Sequence, residues 1–348
     1  MNFKPFRFPV LALSALLAVN DAAAQLSYPA SAASVPSATD AKNINDWLMR
    51  MHEASKNRAY IGTYVVSSGG VISSAKIWHV RDGSQQMERV ETLTGAPRSI
   101  FRHNDRVVTF MPDHKLVRSE KRDSLGMFPE LLQSTDSRIA DFYKVRPEGV
   151  DRVAGAEADV VVLVPQDGMR FGYRVWTEQK KGLVVKLQTL DIDGKVLEQA
   201  AFSELQLDAP VKMDKLLSLM GRMEGYRVEQ SSLVRTTAGA EGWFLKATVA
   251  GFKSTSCYKR PVSASASASA SATVSTEAPL QWIFSDGLAS VSLFVEPYDR
   301  QRHEKESSMS IGATHTMTRQ LGPYWLTVMG EAPMATLKLF ANALEHKR

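Results

Sequence analysis

Seven histidines, one cysteine and 37 acidic side chains are the raw material for catalysis in this chain of 348 residues. Their spacing assembles none of the usual sites. His52, His79, His103, His114, His303, His315 and His346 contain no His-Glu-x-x-His pair or other tight ligand spacing, which a zinc site built on one helix face requires. No Gly-x-Ser-x-Gly elbow or phosphate-binding Gly-x-x-x-x-Gly-Lys loop occurs. Asp191-Ile-Asp193-Gly194 lacks the later Gly and Glu of a calcium loop and reads as a hairpin turn. Glu88 and Glu91 lie three apart, on opposite faces of a strand, so they form no acid/base pair. His79, beside Trp78, reads as a hydrogen-bonded structural histidine. Neither an enzyme nor a bound cofactor is expected, and an exported hydrolase has no motif behind it.

Binding chemistry is better supplied. Tyr60, Tyr64, Trp78, Phe101, Phe110, Phe171, Tyr173 and Trp176 concentrate in the first half of the chain. Most such residues belong to a core, but those on the concave face of a half-open sheet would line an apolar groove. Each acyl methylene buried there gains about 0.8 kcal/mol. Lys115, Arg118, Lys121 and Arg122 form a basic string beside them. It suits the phosphates of a lipid headgroup or lipopolysaccharide, or else a solvated edge that discourages aggregation.

The elements that would position these groups are strands. Gly69-Gly70, Asp82-Gly83, Asn104-Asp105 and Pro112-Asp113 fall at hairpin spacing. Phe171, Tyr173 and Val175 alternate on one face, as do Leu183, Val185 and Leu187, and Asp193-Gly194 turns the chain into a strand from Val196 to Phe202. Asp40 caps a helix with Ile44, Trp47, Leu48 and Met51 in register. Phe128, Leu131, Leu132, Ile139 and Phe142 anchor a less regular stretch, and a connecting helix spans 211–223. This order predicts a long, bent antiparallel sheet with helices on its concave face. Beyond it, Val291, Leu293 and Val295 point inward from one strand, and 324–329 forms another. Met334, Leu337, Phe340 and Leu344 then mark a final helix.

Two segments have no core to join. Lys4, Arg7, the apolar run from Pro9 to Val19 and Ala22-Ala23-Ala24 have the composition of a cleaved signal peptide over 1–24; a retained anchor is the alternative. Residues 25–40 read as a disordered leader and the Ser-Ala repeats of 263–272 as a disordered loop. Cys257 stands alone, so no disulfide can form within the chain. A formal charge of +5 is mild for this length. It permits contact with anionic lipid but is no nucleic-acid footprint.

Several ordered motifs carry a resemblance. Tyr60-Ile-Gly62-Thr-Tyr64, Ile77-Trp-His79, Met87-Glu88-Arg-Val-Glu91 through Gly95-Ala-Pro97-Arg98, and Arg102-His-Asn104-Asp105 come first. Gly168-Met-Arg170-Phe-Gly-Tyr173-Arg-Val-Trp176 and Leu190-Asp-Ile-Asp193-Gly194 follow. Later come Ser285-Asp286-Gly287-Leu288 running to Glu296, and Gly330-Glu331-Ala332-Pro333. Together they resemble the RseB/MucB family of periplasmic sigma-E regulators, with one departure: the family's Leu-Pro-x-Gly-Phe-type turn is here Val249-Ala250-Gly251-Phe252. The resemblance implies an α+β, mainly antiparallel β protein. Its incomplete β-barrel, similar to lipoprotein carriers, would cover residues 41–210, a linker 211–224 and a smaller C-terminal α+β domain 225–348. It further implies a periplasmic, non-enzymatic regulator that binds the periplasmic domain of a transmembrane anti-sigma factor of the RseA/MucA type. Such a regulator shields its partner from proteolysis and releases it on a lipid or lipopolysaccharide signal. Ser285, Asp286, Gly287, Phe294 and Glu296 are the candidate partner contacts. A lipid or lipoprotein carrier is the alternative, and self-association stays open.

Overall fold

The computed structural model describes residues 40–121, 128–129, 139–231, 233–259, 278–303 and 305–347. The expected signal peptide and leader, Arg122, Leu131, Leu132 and the Ser-Ala tract lie outside them.

Twelve strands form the first sheet: β1 (Tyr60–Ser68), β2 (Val71–Asp82), β3 (Gln85–Thr92), β4 (Ser99–His103), β5 (Arg106–Met111), β6 (Leu116–Lys121), β7 (Tyr143–Val153), β8 (Ala156–Pro165), β9 (Gly172–Glu178), β10 (Val184–Leu190), β11 (Val196–Leu207) and β12 (Arg227–Ser231). They run in the order β12-β6-β5-β4-β3-β2-β1-β11-β10-β9-β8-β7, so the two edges never pair and the sheet stays open. All pairings are antiparallel except β12 on β6. The four expected turn dipeptides each join consecutive strands. Gly69, Gly70 and Gly83 have positive φ, as does Asn104, which tight hairpins demand. Gly62 has a different task. A Cβ there would stand 2.5 Å from the Phe202 ring, so its absence lets that ring lie across β1.

Helices cover both faces of this sheet, a correction to the expectation of a single covered concave face. On one side, α1 (Asp40–Asn57) buries Leu48 and Met51 against Tyr173, Val175 and Leu163, with Ile139 from α2 (Ile139–Phe142). On the other, α3 (Met213–Met220) places Leu216 and Met220 over Met87, Phe101, Val108 and Phe110. The alternation of β2 and β3 divides their side chains between the two layers. Paired Ile77 and Val90 face one way, and paired Trp78 and Arg89 the other.

A second sheet has the order β13-β15-β16-β17-β20-β19-β18. Its strands are β13 (Val234–Arg235), β15 (Lys253–Lys259), β16 (Leu280–Ser285), β17 (Ser290–Pro297), β18 (Ser307–Ile311), β19 (Thr314–Leu321) and β20 (Tyr324–Gly330). Val291, Leu293 and Val295 point into its core as expected, joined by Leu337 and Phe340 of α4 (Met334–Ala343). Leu344 shares that core from a strand rather than the helix: β21 (Leu344–His346) pairs with β14 (Trp243–Leu245). No helix of the described residues is long and apolar enough to cross a membrane.

Candidate functional site: the junction of the two sheets

Three of the motifs above converge where the sheets meet. In the loop between β8 and β9 the Asp167 carboxylate accepts the Met169 N–H at 2.9 Å. This turn aims Arg170 away from the strand. Its side chain is fully buried and donates three ways: Nε to Asp286 Oδ2 at 2.9 Å, Nη2 to the Ala250 carbonyl at 2.8 Å, and Nη1 to Asp167. The guanidinium carbon Cζ also lies 4.4 Å from the Phe142 ring centre and 5.4 Å from that of Phe252. A charge buried to this degree persists only when its donors are matched.

Asp286 is equally occupied. Its Oδ1 accepts the N–H groups of Leu288 and Ala289 at 3.0 and 2.8 Å, and Tyr143 donates its hydroxyl to Oδ2 at 3.3 Å. Burial, together with the neighbouring Tyr173 and Asp286, holds the Tyr143 phenol well above its ordinary pKa, so it remains a donor. The same turn is braced by the Ser285 hydroxyl, which donates to Ala289 O at 2.8 Å and accepts from Gly287 N.

Side chains are also exchanged across the junction. Leu288 enters the cluster of Leu48, Met51 and Ile139, while Met169 packs against the core of the second sheet. Thr336 in α4 donates to the Met169 carbonyl at 2.7 Å. Phe171 meets the His315 ring edge-on at 5.5 Å. Gly251, which the turn motif keeps, has a steric reason to be glycine. With φ at +83°, a Cβ there would stand 2.3 Å from Arg170 Nη2 and 2.9 Å from Phe142. Only glycine allows the turn to close over the arginine.

The predicted partner contacts therefore separate. Ser285, Asp286 and Gly287 are buried in the junction. Phe294 and Glu296 lie half-buried on the opposite side of β17 from its core residues, and Glu296 is paired with Arg302 and His303.

The aromatic candidates do not share one groove. Tyr60, Tyr64 and Trp176 belong to one cluster, where Phe128 and Phe202 pack on Tyr64 at 5.5 and 6.2 Å. Tyr173 is in the α1 cluster. Phe101, Phe110 and Trp78 are on the α3 side, with Arg89 4.8 Å from the Trp78 ring centre. Phe171 lies at the junction. All but Trp78 are buried. The basic string is equally divided. Arg118 and Lys121 point to opposite faces of β6 and meet Glu229 and Asp105, at 3.5 and 3.8 Å, while Lys115 sits in the preceding turn.

His79 is structural, bonded at 2.7 Å to the Arg58 carbonyl and stacked on Tyr60. Asp191 accepts the N–H groups of its own turn, from Asp193 and Lys195.

Sequence reasoning missed a hollow of about 830 Å³ in the second sheet. Trp243, Phe252, Cys257, Trp282 and Phe284 line it, with Arg235 and Lys253 among its lining cations. The aromatic density between 243 and 284 was the available signal. Cys257 is buried there, and burial pushes its thiol up to about 11.

Comparison with known proteins follows the same two-part layout. The profile of the MucB/RseB N-terminal domain matches residues 43–220, and that of the MucB/RseB C-terminal domain matches 237–345. The sigma factor AlgU regulatory protein MucB of Pseudomonas aeruginosa is 27% identical over 315 residues, covering 88% of this chain and 92% of that protein. The sigma-E factor regulatory protein RseB of Haemophilus influenzae is 24% identical and covers 99% of each. A crystal structure of MucB in complex with MucA(peri) superposes with a TM-score of 0.64 at 26% identity, covering 87% of this chain and 98% of that one. With both profiles matched in order and the first spanning half the sequence, the chain belongs to the MucB/RseB family.

Proposed function

We infer that this protein is an exported, non-enzymatic regulator that holds the periplasmic part of a transmembrane anti-sigma factor and shields it from proteolysis. The observation that carries this reading is the match of both halves, in order, to a family whose MucB is found in complex with MucA(peri). The junction supports it physically. Arg170 and Asp286 fix two differently built sheets as one platform, which a regulator with a single large client needs and a barrel-only carrier does not.

Release by lipid or lipopolysaccharide is then linkage: a ligand that prefers the client-free form weakens client binding by the same coupling free energy. The hollow beside Trp282, with aromatic walls and with Arg235 and Lys253 among its lining, is the place we assign to such a ligand. The decisive experiment is retention of the purified exported part of the cell's anti-sigma factor on immobilised protein. Retention that slows site-1 cleavage is expected; no retention ends the reading. Lipid extracted from the purified protein and identified by mass spectrometry tests the release step, which fails if added lipid leaves client binding unchanged.

A further inference from the structure

The two large sheets have four edges, and three carry the usual protection against pairing with another chain. β7 has five charged residues (Lys144, Arg146, Glu148, Asp151 and Arg152), Pro147, and a register shift beside that proline. β12 holds Arg227 and Glu229, paired with each other and with Arg118. β13 is only two residues long, and the part of β15 that it leaves uncovered begins with Lys253 and has a register shift at Ser254–Ser256. β18 is different. Its five residues, Ser307-Ser-Met309-Ser-Ile311, are all exposed and uncharged, without proline and in unbroken register with β19.

This edge, bare among the described residues, borders an apolar strip. Met309 faces Thr316 of β19, which faces Met329 of β20, so the three form one row across the sheet. Met309 is 56% exposed and Met329 41%, on the side away from α4. At the strand's end the strip crosses to the first sheet. A Cβ built on Gly69 would touch Ile311 at 3.0 Å, and Val71 and Ile72, directly after that turn, are 67% and 69% exposed.

We propose that β18 is the docking edge for an extended segment of a partner polypeptide, which adds as an eighth strand and lays alternate apolar side chains along Met309 and Ile311 towards the exposed Val71–Ile72 corner of the first sheet. An edge strand directs every second residue's N–H and C=O outward, and an extended backbone is the group that matches such a row. The uncharged strip selects a segment without charge on its facing positions. A second copy of this chain fits less well: it offers the same five residues before its own turn at Gly312, too few to continue onto Val71 and Ile72. The inference rests on the reading of the protein as the holder of a client and specifies where that client adds.

The test uses the full exported chain and the exported part of the anti-sigma factor as probe. The Met309→Lys/Ile311→Lys double variant, altered at exposed positions, should weaken binding about tenfold or more, while Val234→Lys on β13 leaves it unchanged. In the unaltered protein, amide exchange at 307–311 should slow on binding. If the probe binds but the double variant binds equally and those amides exchange as before, the docking edge is wrong and the client reading stands. If the unaltered protein does not bind the probe, both fall. If instead the double variant dissociates a homodimer of the free protein, the edge belongs to a second copy and the proposal is overturned.

Discussion

The first sheet has helices on both faces, α1 and α2 on one and α3 on the other, and its aromatic side chains are consumed by the resulting clusters. The second has α4 on one face and, among the described residues, no helix on the other. Its outer surface carries Ser292, Phe294, Glu296, Thr316, Thr327 and Met329 and ends in β18. With the proposed docking edge, the difference points recognition to the second sheet: a larger sheet with more aromatic residues offers little free surface when its faces are already covered. Between the sheets, Arg170 and Asp286 decide whether the contrast belongs to one rigid body or to two.

The largest effect should come from that pair. Arg170→Met leaves Asp286 buried without its cation, and breaking a buried ion pair in this way costs about 3–5 kcal/mol. Urea unfolding followed by tryptophan fluorescence and by circular dichroism should change from one shared transition to two separate ones as the sheets uncouple. A single transition within about 1 kcal/mol of the unaltered protein would show that Met169, Leu288 and the backbone contacts suffice, and that the arginine is incidental.

A smaller, sharper probe is Gly251→Ala. A positive-φ backbone alone costs an L-residue about 1–2 kcal/mol, and this methyl must also displace Arg170 Nη2 and the Phe142 ring. Gly225→Ala provides the reference, since Gly225 has φ at +78° with open space around it. Gly251→Ala should be the more destabilising of the two, measured as the shift in urea midpoint at equal slope. Equal shifts would mean that the turn relaxes freely and does not clamp the arginine.

Much of this architecture was legible in the letters because hairpins are local. Gly69-Gly70 and Asn104-Asp105 set their turns by backbone chemistry, and Val291, Leu293 and Val295 revealed their inward face by alternation. Alternation says that Tyr60 and Phe101 occupy faces, however, and not which face a distant helix covers. The lipid candidates were therefore grouped across what proved to be opposite sides. Parallel addition of β12 to β6 joins residues more than a hundred positions apart, so no local pattern announces it. That strand also lies past residue 225, where the sequence reading began the C-terminal domain. Arg170 stands in one of the motifs with no role of its own; that role depends on Asp286 and Ala250, which only folding brings near. β18, three serines in five residues, has too little strand propensity to be recognised.

The weakest expected effect compares the two sheets by titration. Cys257 in the second core is pushed up to about 11 by burial and the Glu241 charge, from an ordinary 9.0. Tyr64 in the first is raised to about 12 by burial and Glu88, from 10.0. In both cases the unfolded chain releases the proton first. Each contribution is therefore full below the ordinary value and lost as pH rises towards the raised one. Cys257 acts between about pH 9 and 11, and Tyr64 between about 10 and 12, so alkaline loosening should begin in the second sheet. Urea midpoints of the unaltered protein and Cys257→Ala, measured from pH 8 to 11, should converge as the thiol's contribution disappears, while Tyr64→Phe should differ in slope only above pH 10. Parallel decline of the unaltered protein and Cys257→Ala over that range would mean that the hollow beside Trp282 admits enough water to keep the thiol near its ordinary value, removing the basis for treating it as an apolar site.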